Sequence, residues 1–145
     1  MTAKEYLNQV QLLEIIIENK QKEISDLRLD IANLSSALAS GERVQSSATA
    51  NARYVSALEK IEKLENEIIQ YVERKVSKRN LIINQINSLE SKEYIEILYK
   101  RYIEYKKLEQ IAVEMNYDYA YIRHLHGYAL EDFKRRHTIT HLSLL

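Results

Sequence analysis

Apolar residues recur along the first part of the chain at alternating intervals of four and three. They are Tyr6, Val10, Leu13, Ile17, Ile24, Leu27, Ile31, Leu34 and Leu38, with Lys20 in the one polar slot. A repeat of about 3.5 residues sustained that long draws a seam along one side of a helix and calls for a partner helix in a left-handed supercoil. Thr2 and Glu5 have the spacing of a capping box, which marks the start, and Ser40-Gly41 marks the stop. Residues 39–52 are small and polar and read as a loop. The pattern resumes at Tyr54, Leu58, Ile61, Ile68, Val72, Ile82, Ile86 and Leu89, with Glu65, Lys75 and Arg79 filling slots between. At about 1.5 Å per residue each helix is on the order of 50 to 60 Å long, and so short a connection favours an antiparallel hairpin. Residues 1–90 are therefore expected to form a coiled-coil helical hairpin.

Past Leu89 the seam spacing ends and tyrosines crowd in: Tyr94, Tyr99, Tyr102, Tyr105, Tyr117, Tyr119, Tyr121 and Tyr128 are eight of the eleven in the chain. Three helices are predicted over a second domain, 91–136. The first spans about 91–104 with Tyr94, Leu98 and Tyr102 inward. The second spans about 107–115 on Leu108, Ile111, Ala112 and Met115. The third spans about 119–136 on Ile122, Leu125, Ala129 and Phe133. Residues 137–145 carry no periodic pattern and read as a tail.

The second and third of these helices meet the needs of a helix-turn-helix in order. Ala112 is small where two helices must cross. Asn116 follows Met115, and asparagine tolerates the left-handed backbone that the turn demands. Asp118 is positioned to cap the third helix with its carboxylate. Ile122 and Leu125 would face Ile111 and Met115. If the third helix enters a major groove, its leading outward residues Tyr119, Ala120, Arg123 and His124 meet base edges, flanked by Tyr121 and Gly127. Arg123 suits a bidentate contact to guanine, and Lys106, Lys107, Arg101 and Arg135 are the candidate phosphate contacts.

Composition narrows the picture. No Pro and only two Gly in 145 residues leave few residues for the turns of sheet folds, so the expected class is all-α. With no Cys there are no disulfides and no thiolate chemistry. No run approaches the roughly 18 to 20 apolar residues of a membrane span, and the start lacks a basic-then-apolar signal, so a cytoplasmic protein is expected. The chain balances 21 Lys plus Arg against 21 Asp plus Glu, and from residue 91 onward the net charge is only +1. So weak a positive field predicts that one copy binds DNA feebly and that two modules, or help from RNA polymerase, are needed.

Residues 94–134 resemble region 4 of the sigma-70 class of transcription factors. The likeness rests on Ile111-Ala112, Met115-Asn116-Tyr117-Asp118, Ile122, Leu125 and Ala129-Leu130. It implies that Ala120, Arg123 and His124 hold the base-contacting places, with Tyr119 beside the backbone at the helix start. Asn116 stands where Gly is usual, and Ala120 where a longer polar residue is usual. Over residues 1 to about 136 the chain resembles the RinA-like and ArpU-like phage transcriptional regulators. The marks are the opening Met1-Thr-Ala-Lys-Glu-Tyr-Leu7, the loop Gly41-Glu-Arg-Val-Gln-Ser-Ser47, Leu98-Tyr-Lys-Arg-Tyr-Ile103 and Leu125-His-Gly-Tyr-Ala-Leu130. That resemblance implies control of phage late or packaging genes in the host bacterial cytoplasm. The expected protein is an activator on double-stranded DNA, with host RNA polymerase as a further partner suggested by the weak charge, and a homodimer formed through the coiled coil as the mechanism suggested by the hairpin.

Rival readings stand beside this one. A small terminase-like DNA-recognition subunit for packaging also joins a helix-turn-helix to a coiled coil, and a coiled-coil interaction protein need not touch DNA at all. The tyrosines could stack on single-stranded bases, but Tyr94, Tyr102 and Tyr117 fall at inward positions, leaving Tyr119, Tyr121 and Tyr128 outside. Lys20 reads either as a register device or as a side chain snorkelling from the seam. His137 and His141 have helical ligand-pair spacing without a third ligand, so no metal is expected, and no cofactor. No nucleophile, phosphate loop or carboxylate pair in a site-like setting is evident, so the chain is not expected to be an enzyme.

Overall fold

A computed structural model describes residues 1–39 and 47–137. It shows an all-helical chain of six helices among the described residues: α1 (Ala3–Leu7), α2 (Gln9–Ala39), α3 (Ser47–Asn87), α4 (Lys92–Tyr102), α5 (Leu108–Met115) and α6 (Tyr119–Arg136). None of these is long and apolar enough to cross a membrane.

The first helix starts where the capping box places it. The Thr2 hydroxyl accepts from the Glu5 N–H at 3.1 Å, and the Glu5 carboxylate accepts from the Thr2 N–H at 2.8 Å. The bond from the Thr2 N–H, with a smaller contribution from the Thr2 side chain, holds the Glu5 carboxyl below its ordinary range. The helix then loosens at Asn8, which separates α1 from α2. At the other end of α2, the expected loop over 39–52 proves shorter, because α3 is already helical at Ser47. Ala48, Ala50 and Ala52 explain this: alanine is the best helix former, and small size was not evidence of a turn. Ser40-Gly41 and Arg43 lie outside the described residues, as does the side chain of Leu38.

The chain divides into two compact units, and the division does not fall at residue 90. One unit joins the described residues of Met1–Glu14 and Arg74–Leu145, and the other is Ile15–Glu73. In the first unit, Tyr6, Leu7 and Val10 share a core with Ile82, Ile86 and Leu89 of the α3 end. The same core takes in Ile97, Leu98 and Tyr102 of α4, Ile111 of α5, and Ile122, Leu125, Ala129 and Phe133 of α6. The small C-terminal helices alone would leave much of this surface wet. The start of the chain covers it, with the Tyr6 ring 6.0 Å from that of Phe133.

In the second unit, Ile24 of α2 packs with Ile61 and Leu64 of α3, supported by Leu27, Ile31 and Ile68. Lys20 occupies its seam slot by pairing with Glu67 at 2.6 Å, its ammonium 5.4 Å from the centre of the Tyr71 ring. The α3 seam expected from sequence needs correction here. Leu58 and Val72 are exposed, while Leu64, absent from the expected set, is buried. The buried line runs through Ile61, Leu64 and Ile68, and a second apolar line runs through Val55, Leu58, Ile69 and Val72 on the outside. The two lines differ by one residue, about 100° around the helix, so a single list mixed them.

Candidate nucleic-acid interface

α5 ends in a closed turn. Asn116 takes the left-handed conformation with φ 59° and ψ 43°. The Tyr117 N–H donates to the Ala112 carbonyl at 3.0 Å and the Asn116 N–H to the Val113 carbonyl at 3.3 Å. These bonds reverse the chain without a glycine, since the polar asparagine side chain tolerates a conformation that costs most residues free energy. Asp118 then stands at the start of α6 in an extended conformation, but its carboxylate makes no capping hydrogen bond, contrary to the expected role. The carboxylate still sits at the positive end of the α6 dipole, so its contribution there is electrostatic.

Every third or fourth residue of α6 is anchored: Ile122, Leu125, Ala129 and Phe133 are all buried beside Ile111 and Ala112. The opposite side is open. Tyr119, Ala120, Arg123 and His124, the expected base-contacting residues, are all exposed, and the Arg123 guanidinium lies 5.8 Å from the centre of the Tyr119 ring. Gly127 is exposed too, and a Cβ added there would meet nothing within 4 Å. Steric relief within the chain therefore does not require glycine at this position.

The flanking residues divide. Tyr121 is exposed, but its hydroxyl is turned to Glu93 of α4 at 3.3 Å, and the same carboxylate accepts from Tyr117 at 2.7 Å. The rings of Tyr117 and Tyr121 stand 4.6 Å apart. Tyr117, expected inward, is thus an exposed residue held by a hydrogen bond rather than by burial. That bond to Glu93 pushes the Tyr117 phenol up, and partial burial followed by the charge of Glu93 raises that of Tyr121.

The expected phosphate contacts differ in what they have free. Lys106 is held by Glu114 at 2.6 Å and by Glu104 at 3.1 Å, while Glu114 also takes Lys100 at 3.3 Å. Hydrogen bonding to these carboxylates raises the Lys106 ammonium above its ordinary value. Arg101 donates to the Lys106 carbonyl at 2.9 Å and so ties the turn that follows α4. In that turn Tyr105 adopts φ 58°, a second left-handed residue that no sequence signal announced. Lys106 and Arg101 are therefore engaged within the fold, and a phosphate contact by either would have to replace these partners. Arg135 pairs with Asp132 yet keeps 76% of its side chain exposed, and Lys107 is exposed at the start of α5.

Two further groups make contacts that the sequence reading did not join. Tyr102 and His126 share a hydrogen bond of 2.8 Å, with rings stacked at 5.7 Å. Burial, with Arg101 and Lys4 nearby, lowers half-buried His126 to about 4, and burial raises Tyr102 to about 12, so the neutral imidazole is favoured beside this phenol. His137 stands 3.1 Å from the Gln85 carbonyl and 3.2 Å from the Ser88 hydroxyl, its ring against Phe133. His141 lies outside the described residues. Among the described residues no group of three His, Asp or Glu is placed to hold a metal ion.

Comparison with protein-family models, with curated proteins and with solved structures finds no match to this chain.

Proposed function

We propose that the chain is a sequence-specific reader of double-stranded DNA that regulates transcription, with α5, the Asn116–Asp118 turn and α6 forming a helix-turn-helix. One observation carries this reading. After a left-handed turn at Asn116, α6 buries Ile122, Leu125, Ala129 and Phe133 and turns Tyr119, Ala120, Arg123 and His124 outward at its leading end. A groove reader needs that division between an anchored side and an open leading edge. Arg123 is the guanine reader, Ala120 is suited to a thymine methyl, His124 donates or accepts, and Tyr119 sits by the backbone. Lys107 and Arg135 supply phosphate contacts, Arg135 by leaving Asp132.

In this reading α2 and α3 form an antiparallel coiled-coil hairpin. Lys20 with Glu67, and Lys60 with Glu23 at 3.8 Å, support it, since rising numbers on one helix meet falling numbers on the other. A second copy joins through the hairpin, which the exposed line of Val55, Leu58, Ile69 and Val72 supports. Two modules offset the weak charge of each. The resemblance to the RinA-like and ArpU-like regulators supports activation of phage late or packaging genes in the bacterial cytoplasm, together with RNA polymerase. Selection of bound sequences from a random duplex pool, with solution mass measured on the same sample, tests the reading. A single enriched motif bound by a dimer is expected, and no enrichment over input, or a ring-sized oligomer, contradicts it.

A further inference from the structure

Beside the open edge of α6 lies a furrow with a different chemistry. Its larger lobe, about 540 Å³, is lined by Glu93, Tyr94, Tyr121, His124 and Tyr128 with Ser91 and Leu125 at its margins. A smaller lobe of about 280 Å³ shares Tyr94 and Tyr128 and continues to Glu131, Asp132 and Arg135. Tyr94 and Tyr128 are thus common to two neighbouring depressions, each of which also holds carboxylates.

The carboxylates are not alike. Asp132 is neutralised by Arg135 and Arg136. Glu93 accepts from two phenols, Tyr117 and Tyr121, which orient it without cancelling its charge. Neither Glu93 nor Glu131 forms an ion pair among the described residues. Tyr128 is 58% exposed and Tyr121 44%, so the aromatic wall is open to a ligand. The furrow shares Tyr121, His124 and Arg135 with the DNA-facing edge, but a phosphate seated within it would meet repulsion from Glu93 and Glu131. An apolar helix would bury the charges of two carboxylates with no cation to offset them, at high cost. A planar guanidinium satisfies both features at once: it stacks on the ring of a tyrosine and donates in a fork to a carboxylate.

We propose that this furrow binds an arginine-bearing basic peptide segment of a partner protein, with Tyr94, Tyr121 and Tyr128 as the stacking wall and Glu93 and Glu131 as the acceptors. The two lobes make an elongated, open seat suited to consecutive side chains of an extended chain rather than to one small cation. The partner's arginine enters beside Tyr128, between Glu93 in one lobe and Glu131 in the other.

The test uses the full chain, labelled for amide NMR, titrated with the capped peptide Gly-Arg-Gly-Arg-Gly. Its citrulline twin, which keeps the shape and loses the charge, and spermidine serve as comparisons. Shifts confined to residues 91–94 and 121–131 are expected with the arginine peptide and not with the twin. Tyr128→Ala and Glu131→Gln should each weaken binding by about tenfold, the scale of one cation–π or charge-assisted contact, while Tyr128→Phe keeps it. Both positions are exposed, so these variants fold, and neither belongs to the DNA-contacting set, so duplex binding by them reports separately on that reading. Absence of shifts, equal shifts with the citrulline twin, shifts scattered over other acidic surfaces, or spermidine binding as tightly as the peptide would each overturn the proposal.

Discussion

The Tyr6 hydroxyl donates to the Gln85 side-chain oxygen at 2.7 Å, joining residues 79 positions apart in the chain. The bond is the polar end of a larger contact, since the Tyr6 ring is wholly buried in the core that also holds Phe133. The first turns of the chain are thus part of the unit that presents α6. Tyr6→Phe should cost about 1 kcal/mol, the net value of one hydrogen bond, while Tyr6→Ala should cost about 3 to 5 kcal/mol through the cavity it leaves. Urea denaturation followed by circular dichroism checks both. The fragment 91–137 alone should show little cooperative unfolding, because it lacks Tyr6, Leu7, Val10, Ile82 and Ile86.

At Asn116 the backbone, not the side chain, decides the outcome. Asn116→Gly keeps access to the left-handed region and should leave stability within about 1 kcal/mol of the parent. Asn116→Val forces a branched side chain into φ 59° and should cost about 2 kcal/mol, with duplex binding lost in parallel as α5 and α6 part. Equal stability of the two variants would deny that the turn is under this constraint.

His126 gives the fold a dependence on pH. Its folded value of about 4 lies below the ordinary 6.5, so the unfolded chain binds the extra proton between those values. Stability contributed by the neutral imidazole is therefore complete above about pH 6.5 and is lost as pH falls toward 4. Thermal melts across that window should show the decline, and His126→Gln should flatten it. Glu5 and Glu114, whose carboxyls are held low by hydrogen bonds, add their losses only below the ordinary carboxylate range.

Much of this arrangement was legible in the residues. The bounds of α4, α5 and α6, the inward set Ile122, Leu125, Ala129 and Phe133, and the left-handed Asn116 all follow from local pattern and turn chemistry. Leu58 and Val72 were misplaced because α3 carries two apolar lines one residue apart, and periodicity reports that a face exists without saying what covers it. The packing of Tyr6 and Leu7 on α6 was invisible for a related reason: a heptad says that a partner exists, not which element supplies it. The partners of Lys106 and Arg101 were hidden because sequence shows charge and not its neighbours, here Glu104, Glu114 and a carbonyl. The pairing of Glu93 with Tyr117 and Tyr121 spans more than twenty residues and left no local signal.

The most direct measurement is fluorescence anisotropy of the parent, Arg123→Ala and His124→Ala on a duplex recovered by selection, at fixed salt. The account predicts that Arg123→Ala weakens binding by about 5- to 150-fold, the equivalent of roughly 1 to 3 kcal/mol, and relaxes preference at one base pair, with folding unchanged. Binding by Arg123→Ala and His124→Ala equal to that of the parent, or no duplex bound by the parent at all, would contradict it.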